Sequence, residues 1–220
     1  GSASGTADGQ GTSDLHASIV KGLKDQAVHA AKELLTVQDA LDVINSQIIP
    51  ALDVVGKGFE KGTMFLPQLL MSAEAAKGAF EVIKEKMDAS GQKQEKKGSI
   101  ILATVKGDIH DIGKNIVKVL LENYSYDVLD LGKDVPPETI VETAVEKHIQ
   151  LVGLSALMTT TVPSMEETIV QLRKAAPWAR VMVGGAVLTQ EYADTMGADQ
   201  YCRDAMASVN YAEQVFGLTK

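Results

Sequence analysis

The sequence predicts a two-domain protein: a helical bundle followed by a doubly wound, five-stranded parallel sheet. Three observations carry this. Residues 14–87 show only helical periodicity, residues 99–220 alternate short apolar runs with amphipathic stretches, and a polar stretch separates the two. At 220 residues the chain has room for two modest cores.

The first residues, 1–13, are small and polar, and read as an appended or flexible tail outside the fold. In the bundle, Ala27, Val28, Ala31, Leu34 and Leu35 form one stripe, and Leu41, Ile44 and Ile48 the next. Leu52, Val55 and Phe59 continue after Pro50. Leu66, Leu69, Leu70, Ala73, Phe80, Ile83 and Met87 make the longest stripe. Recurrence at three and four residues is the mark of helices with one buried face, here four or five of them. Residues 88–98 (DASGQKQEKKG) lack any large apolar side chain and read as a linker.

The second domain opens with Ser99–Val105 (SIILATV), a continuous apolar run suited to a strand buried on both faces. Similar runs follow at 126–131, 151–155 and 180–183, with a weak fifth at Gln200 and Tyr201. Helices are expected at 112–124, 137–148, 163–175, 189–196 and 204–216. Alternation of this kind requires parallel strands joined by right-handed crossovers. The expected strand order is 2-1-3-4-5, a flavodoxin-like and Rossmann-like arrangement.

Composition narrows the function. Net charge is −8, which argues against a nucleic-acid surface, since a phosphate backbone must be met by clustered Lys and Arg. No apolar run is long enough to span a membrane. The single cysteine, Cys202, excludes a disulfide framework and multi-cysteine metal sites, and suits a reducing cytoplasm.

In an open α/β sheet, ligands bind beyond the carboxyl ends of the strands. Three loops there hold the domain's polar and glycine residues: Gly107–Gly113 (GDIHDIG), Ser155–Thr161 (SALMTTT) and Gly184–Ala186 (GGA). The first is no phosphate cradle, since neither the Gly-x-Gly-x-x-Gly nor the Gly-Lys-Ser/Thr pattern is present. It offers one imidazole, His110, flanked by the carboxylates of Asp108 and Asp111. A carboxylate that accepts one ring N–H fixes the tautomer and strengthens the other nitrogen as a metal donor. One imidazole is too little for a metal held by protein alone, but suffices for a metal that brings its own macrocycle. The bland alternative is a helix-capping Asp beside a solvated His.

Asp108-x-His110-x-x-Gly113, a gap of 41 residues, Ser155-x-Leu157, a gap of 26, and Gly184-Gly185 resemble the cobalamin-binding signature in all three segments and both spacings. Phe59 and the segment Phe65-Leu66-Pro67-Gln68-Leu69 resemble the helical cap of the same module. The chain therefore resembles the corrinoid methyl-carrier proteins of methyltransferase systems, and the cobalamin module of methionine synthase.

That resemblance implies cobalamin bound base-off (as methylcobalamin or cob(I)alamin), with His110 as the lower ligand of cobalt. It implies a relay from His110 to Asp108 to Thr161, where the family usually has Ser; the methyl group of Thr leaves the hydroxyl in place. Asp108, Ile109, His110, Asp111, Ile112 and Gly113 would meet the corrin. Ser155, Leu157 and Thr159 would line the slot for the displaced base, and Gly184 and Gly185 would leave room for the nucleotide tail. Asp204 and Ala205, on the loop after the fifth strand, would reach the same slot, or Asp204 would simply cap the last helix. Phe59, Phe65, Leu66 and Leu69 would shield the upper face, while Phe80 belongs to the core.

The implied activity is carriage of a methyl group between a methyl-donor-specific methyltransferase and an acceptor methyltransferase, a tetrahydrofolate-dependent one among the candidates. A reductive activation protein would be a further partner. Whether such a carrier counts as an enzyme is a matter of convention. Alternatives are the cobalamin domain of an adenosylcobalamin-dependent mutase, a cobalamin sensor, and a receiver-like nucleotide- or flavin-binding module. The mutase needs no such cap, the sensor normally adds a basic DNA-binding domain, and the receiver explains neither the imidazole nor the spacing. Of the other histidines, His16 and His29 are expected on exposed helical positions, and His148 at a helix end.

Overall fold

The computed structural model describes residues 10–91 and 95–217. The described residues form two compact units, divided between residues 95 and 96, each with its own core.

The first unit is helical: α1 (Gln10–Val20), α2 (Lys24–Leu34), α3 (Ala40–Val43), α4 (Ile49–Glu60) and α5 (Leu66–Ser90). α1 begins inside the segment read from sequence as a tail; residues 1–9 of that segment lie outside the described residues. Between α3 and α4 the backbone stays helical through a π-helical turn, Ile44–Ile48. Pro50 therefore does not end the helix. It has no N–H to donate, and the widened turn before it relieves the clash of its ring with the carbonyl four residues back.

α5 packs against α2, and α1 against α2 and α4. The buried stripe of α5 is rich in small residues: Ser72, Ala73, Ala75, Ala76, Gly78 and Ala79 follow one another around Leu69, Phe80 and Ile83. Small side chains allow close approach of the backbones: a Cβ at Gly22, which has φ +72°, would lie 2.6 Å from Met71 Cβ. The Ser72 hydroxyl donates to the Val20 carbonyl at 3.1 Å across the same contact. Leu41 and Leu66, expected in the buried stripes, are exposed, because each stands in the first turn of its helix beyond the packed face. His16 is half-buried rather than exposed.

The second unit carries β1 (Ser99–Val105), α6 (Ile112–Asn123), β2 (Asp127–Val135), α7 (Pro137–Glu146), β3 (Leu151–Ser155), α8 (Val162–Ala175), β4 (Arg180–Gly184), α9 (Gln190–Met196), β5 (Gln200–Tyr201) and α10 (Ala205–Val215). All pairings are parallel and the order is β2-β1-β3-β4-β5. Side chains alternate across β1. Ile101, Ala103 and Val105 face a core with Ile140 and Ala144 of α7 and Ile169 and Leu172 of α8. The opposite face is covered by α6 and α10, whose Ile116, Leu120, Met206 and Val209 are buried.

β2 runs four residues past the run read from sequence. Its end, Gly132-Lys133-Asp134, is polar and irregular, with positive φ at Gly132 (+94°) and Asp134 (+52°) and register shifts against β1. α5 likewise continues past Met87 to Ser90, where Gly91 ends it with φ +76°. At the other end of the polar stretch, the Lys97 N–H already donates to the Ser125 carbonyl at 2.9 Å. Among the described residues no helix is long and apolar enough to cross a membrane.

Candidate functional site

The strand order reverses at β1 and β3, and the loops after these two strands lie side by side at their carboxyl ends. Asp108 follows β1 through a turn in which Gly107 has φ +87°, and it has no exposed surface. Its carboxylate is hydrogen-bonded on both oxygens. Oδ1 accepts the His110 backbone N–H at 2.9 Å and lies 2.8 Å from His110 Nδ1. Oδ2 accepts the Leu157 N–H at 2.7 Å and the Met158 N–H at 3.3 Å, and lies 2.8 Å from Thr161 Oγ1. The single Thr161 proton has a second acceptor in the Met158 carbonyl at 2.9 Å.

Burial by itself would raise the Asp108 pKa. The N–H groups of Leu157 and His110, the imidazole and the Thr161 hydroxyl outweigh it and hold the carboxyl well below the usual carboxylate range. Asp108 is therefore ionised and can only accept, so Nδ1 carries the hydrogen. In the neutral ring the lone pair is then on Nε2. The imidazole is half exposed, and no described residue is hydrogen-bonded to Nε2. A buried carboxylate thus holds an imidazole with its free nitrogen available to a ligand.

The two loops that carry this site also expose large apolar side chains. Ile109 and Ile112 are 62% and 69% exposed and Leu157 is 41% exposed, although all three are large aliphatic side chains. At Gly113 nothing lies within 4 Å of where a Cβ would stand. An exposed apolar patch around one imidazole fits a flat, largely apolar ring system carrying a metal. No group of three or more His, Cys, Asp or Glu among the described residues could hold a bare metal ion.

The other site candidates divide. Ser155 ends β3, and Thr159 and Thr161 form a single 3-10 turn leading into α8. Gly185 has a reason of its own. With φ +136°, a Cβ there would stand 1.8 Å from the Ala156 carbonyl oxygen, so glycine is required by the loop after β3 before any ligand is considered. At Gly184 the nearest atom to a Cβ would be the Cys202 carbonyl oxygen at 3.3 Å. Asp204 caps α10, accepting the Ala207 N–H at 2.8 Å, and Ala205 is the first residue of that helix. Asp111 precedes α6 without a side-chain capping bond.

In the helical unit Phe65 is 69% exposed and Leu66 44%, Phe59 is half-buried, and Leu69 has no exposed surface. Leu69 sits on the same stripe of α5 as Ser72, Ala73 and Ala76, so it is a core residue and offers no surface to a ligand here. Phe65-Leu66-Pro67-Gln68 is also a helix start. Pro67 stands in the first turn, and Gln68 Oε1 accepts the Phe65 N–H at 2.7 Å.

Sequence reasoning missed a brace on the first loop and an ion pair between α6 and β2. The Asp134 N–H donates to the Asp108 carbonyl at 2.9 Å, and its carboxylate accepts the Gly107 N–H at 2.7 Å. Lys114 of α6, nearly buried, reaches Asp130 of β2 at 2.6 Å, and Lys118 stands 3.8 Å from the same carboxylate. Burial would raise the Asp130 pKa, but the Lys114 hydrogen bond and charge bring it below its ordinary value. The only signal in sequence was the placement of two acids near the end of an apolar strand.

The chain is similar to known proteins along most of its length. A family model described as a B12 binding domain matches residues 98–216, and a second of the same description matches residues 13–84. The chain is 38% identical over 204 residues to dimethylamine corrinoid protein 2 of Methanosarcina mazei, covering 92% of this chain and 95% of that protein. It is 42% identical over 178 residues to trimethylamine corrinoid protein 1 of the same organism, covering 80% and 82%. Among solved structures it is similar to a chain of the methanol:cobalamin methyltransferase complex of Methanosarcina barkeri. That match has a TM-score of 0.82 and 28% identity, and covers 98% of this chain and 82% of that one.

Proposed function

The chain belongs to the corrinoid proteins of methyltransferase systems, and from this premise we propose that it binds cobalamin base-off on His110 and carries a methyl group from a donor-specific methyltransferase to an acceptor methyltransferase. The observation that carries the reading is the Asp108-held imidazole with its free Nε2 amid exposed Ile109, Ile112 and Leu157.

When bound, the corrinoid supplies a reducible cobalt that can accept and release a methyl group. The chain's own residues do the rest. Asp108 keeps the hydrogen on Nδ1 and so keeps the Nε2 lone pair directed outward. Thr161 and the Leu157 N–H hold the carboxylate in place, so that the imidazole does not turn with it. If Nε2 is released from a ligand it can take up a proton, and the imidazolium remains paired to the ionised Asp108. Ile109, Ile112 and Leu157 keep water from the ligated nitrogen. Ser155, Leu157, Thr159, Gly184 and Gly185 are assigned to the displaced base and nucleotide tail. Phe59, Phe65 and Leu66 are assigned to the upper face; Leu69 is withdrawn from that set by its burial.

A methylated amine is favoured as methyl donor, because the relatives named for dimethylamine and trimethylamine are 36–42% identical to this chain. The acceptor methyltransferase, a tetrahydrofolate-dependent one among the candidates, a reductive activation protein and a reducing cytoplasm complete the reading.

The test is spectroscopic. In the cobalt(II) state the loaded protein should show base-off cobalamin with hyperfine splitting from a protein nitrogen. His110→Ala should abolish that splitting while far-ultraviolet circular dichroism stays unchanged. Retention of the cofactor's own base on cobalt in the wild type would sink the assignment.

A further inference from the structure

On the face of the sheet covered by α6 and α10, two rows of residues run across β1, β3 and β4. One row is Leu102, Gly153 and Met182; the next, toward the site, is Thr104, Ser155 and Gly184. Thr104 has no exposed surface, and its Oγ1 has no hydrogen-bond partner among the described residues. A buried hydroxyl without a partner is costly and calls for an explanation.

The surrounding row supplies one. Both rows contain a glycine, so the strip is poor in side-chain volume. A Cβ at Gly153 would lie 2.6 Å from Leu102 Cδ2 and 3.0 Å from Met182 Cε: the flexible ends of two side chains lean over the glycine. Tips of Leu and Met turn aside readily, and Met in particular adapts to what it packs against. The strip can therefore open without backbone movement. It begins beside Ser155 and Gly184, at the carboxyl ends of β3 and β4, where the tail has been assigned above.

We propose that Thr104 is a specificity-determining residue for the cofactor. Its hydroxyl hydrogen-bonds the nucleotide tail once Leu102 and Met182 have swung away from Gly153. The inference rests on the cobalamin-binding reading above and adds a residue outside the three-part motif. It makes the chain selective for corrinoids whose tail presents a hydrogen-bonding group at this depth.

The test compares two ligands and two variants of the full chain by equilibrium dialysis. The ligands are hydroxocobalamin and cobinamide, which keeps the corrin and lacks the nucleotide tail. Thr104→Val keeps the shape and removes the hydroxyl; Thr104→Ser keeps the hydroxyl. Loss of one buried hydrogen bond should weaken hydroxocobalamin binding by Thr104→Val about tenfold. Cobinamide affinity should stay as it is, and Thr104→Ser should retain the hydroxocobalamin affinity. The melting temperature of the ligand-free Val variant should equal or exceed that of the wild type, because the hydroxyl has no partner to lose. Equal weakening for both ligands, or none for either, overturns the proposal. So does a lower melting temperature of the ligand-free Val variant, which would mean that the hydroxyl is already satisfied in the fold. Failure of the wild type to retain either ligand would instead overturn the cobalamin reading, and this inference with it.

Discussion

Asp108 shows how one side chain can hold a fold and a site together. Its carboxylate gathers N–H groups from its own loop and from the loop after β3, so removing the charge loosens both. Hydrogen bonds to a buried charged group contribute about 1.5–3 kcal/mol each, and Asp108→Asn would turn one acceptor into a donor facing other donors. The variant should lose roughly 2–3 kcal/mol of stability at neutral pH, measured by urea unfolding. The pH dependence follows from the direction of the shift. A carboxyl whose folded pKa lies below its unfolded value of about 3.9 stabilises the fold fully above that value. That contribution is lost as pH falls further, toward the depressed folded pKa. The gap between wild type and Asp108→Asn should therefore be constant from neutral pH down to about 5 and narrow only below about 4. A gap that closed between pH 7 and 5 would assign the effect to another group. Cys202 behaves oppositely. Burial pushes its thiol up to about 11, the Asp204 charge adding to this and the Ser208 hydrogen bond opposing it. The thiol stays protonated at neutral pH, and it should react slowly with alkylating reagents in the folded protein.

At the scale of elements, the loop after β1 is braced by the irregular end of β2. Asp134 both donates to the Asp108 carbonyl and accepts the Gly107 N–H, and it does so from φ +52°, a conformation Asp and Asn tolerate better than most residues. Asp134→Ala should cost about 1–2 kcal/mol, from one hydrogen bond and from Ala forced into that conformation. It should also weaken cobalamin binding, because the loop carrying His110 is less well held. Asp134→Asn keeps an acceptor and the backbone tolerance and should recover most of both. Full affinity in the Ala variant would show that the brace is dispensable. None of this was legible in sequence, where β2 was read as ending at Leu131, before the polar residues that do the bracing. Apolar runs did mark β1 and β3 to the residue, because strands buried on both faces leave no polar interruption. Pairing of β1 with both β2 and β3 followed from the flavodoxin-like order expected of five alternating strands rather than from any one residue. Asp108, His110 and Thr161, and the relay joining them, were expected from spacing and resemblance; the Leu157 and Met158 N–H groups on the Asp108 carboxylate were not, since contacts separated by 49 and 50 residues depend on strand order. Gly185 has a second reason that spacing did not reveal, as its own chain already fills the space a side chain would need. Leu69 was placed at the upper face by spacing, whereas in the fold it is buried on the stripe of α5 that faces the bundle.

At the scale of the molecule, the three-part motif lies wholly in the α/β unit, while Phe59, Phe65 and Leu66 lie in the helical one. A ligand that binds only the folded state stabilises it by mass action, about 2.7 kcal/mol at a hundredfold excess over Kd. Amide exchange followed peptide by peptide can show which unit receives that stabilisation. Cobalamin should slow exchange in the peptides of β1, β3 and the start of α6 whatever the cap does. If the cap shields the upper face, it should also slow exchange between Phe59 and Leu69. That segment is the discriminating one, since Phe65 and Leu66 expose apolar surface that a covered corrin face would remove from water. Phe65→Ala should then abolish the second protection and leave the first. It should also hasten photolytic loss of a methyl group from the loaded protein, because one wall around that group is gone. Cobalamin affinity should fall little in this variant, as the imidazole and the tail slot are untouched. A wild type in which residues 59–69 gain no protection on cobalamin binding would remove Phe65 and Leu66 from the site, while leaving His110 and its relay where they are.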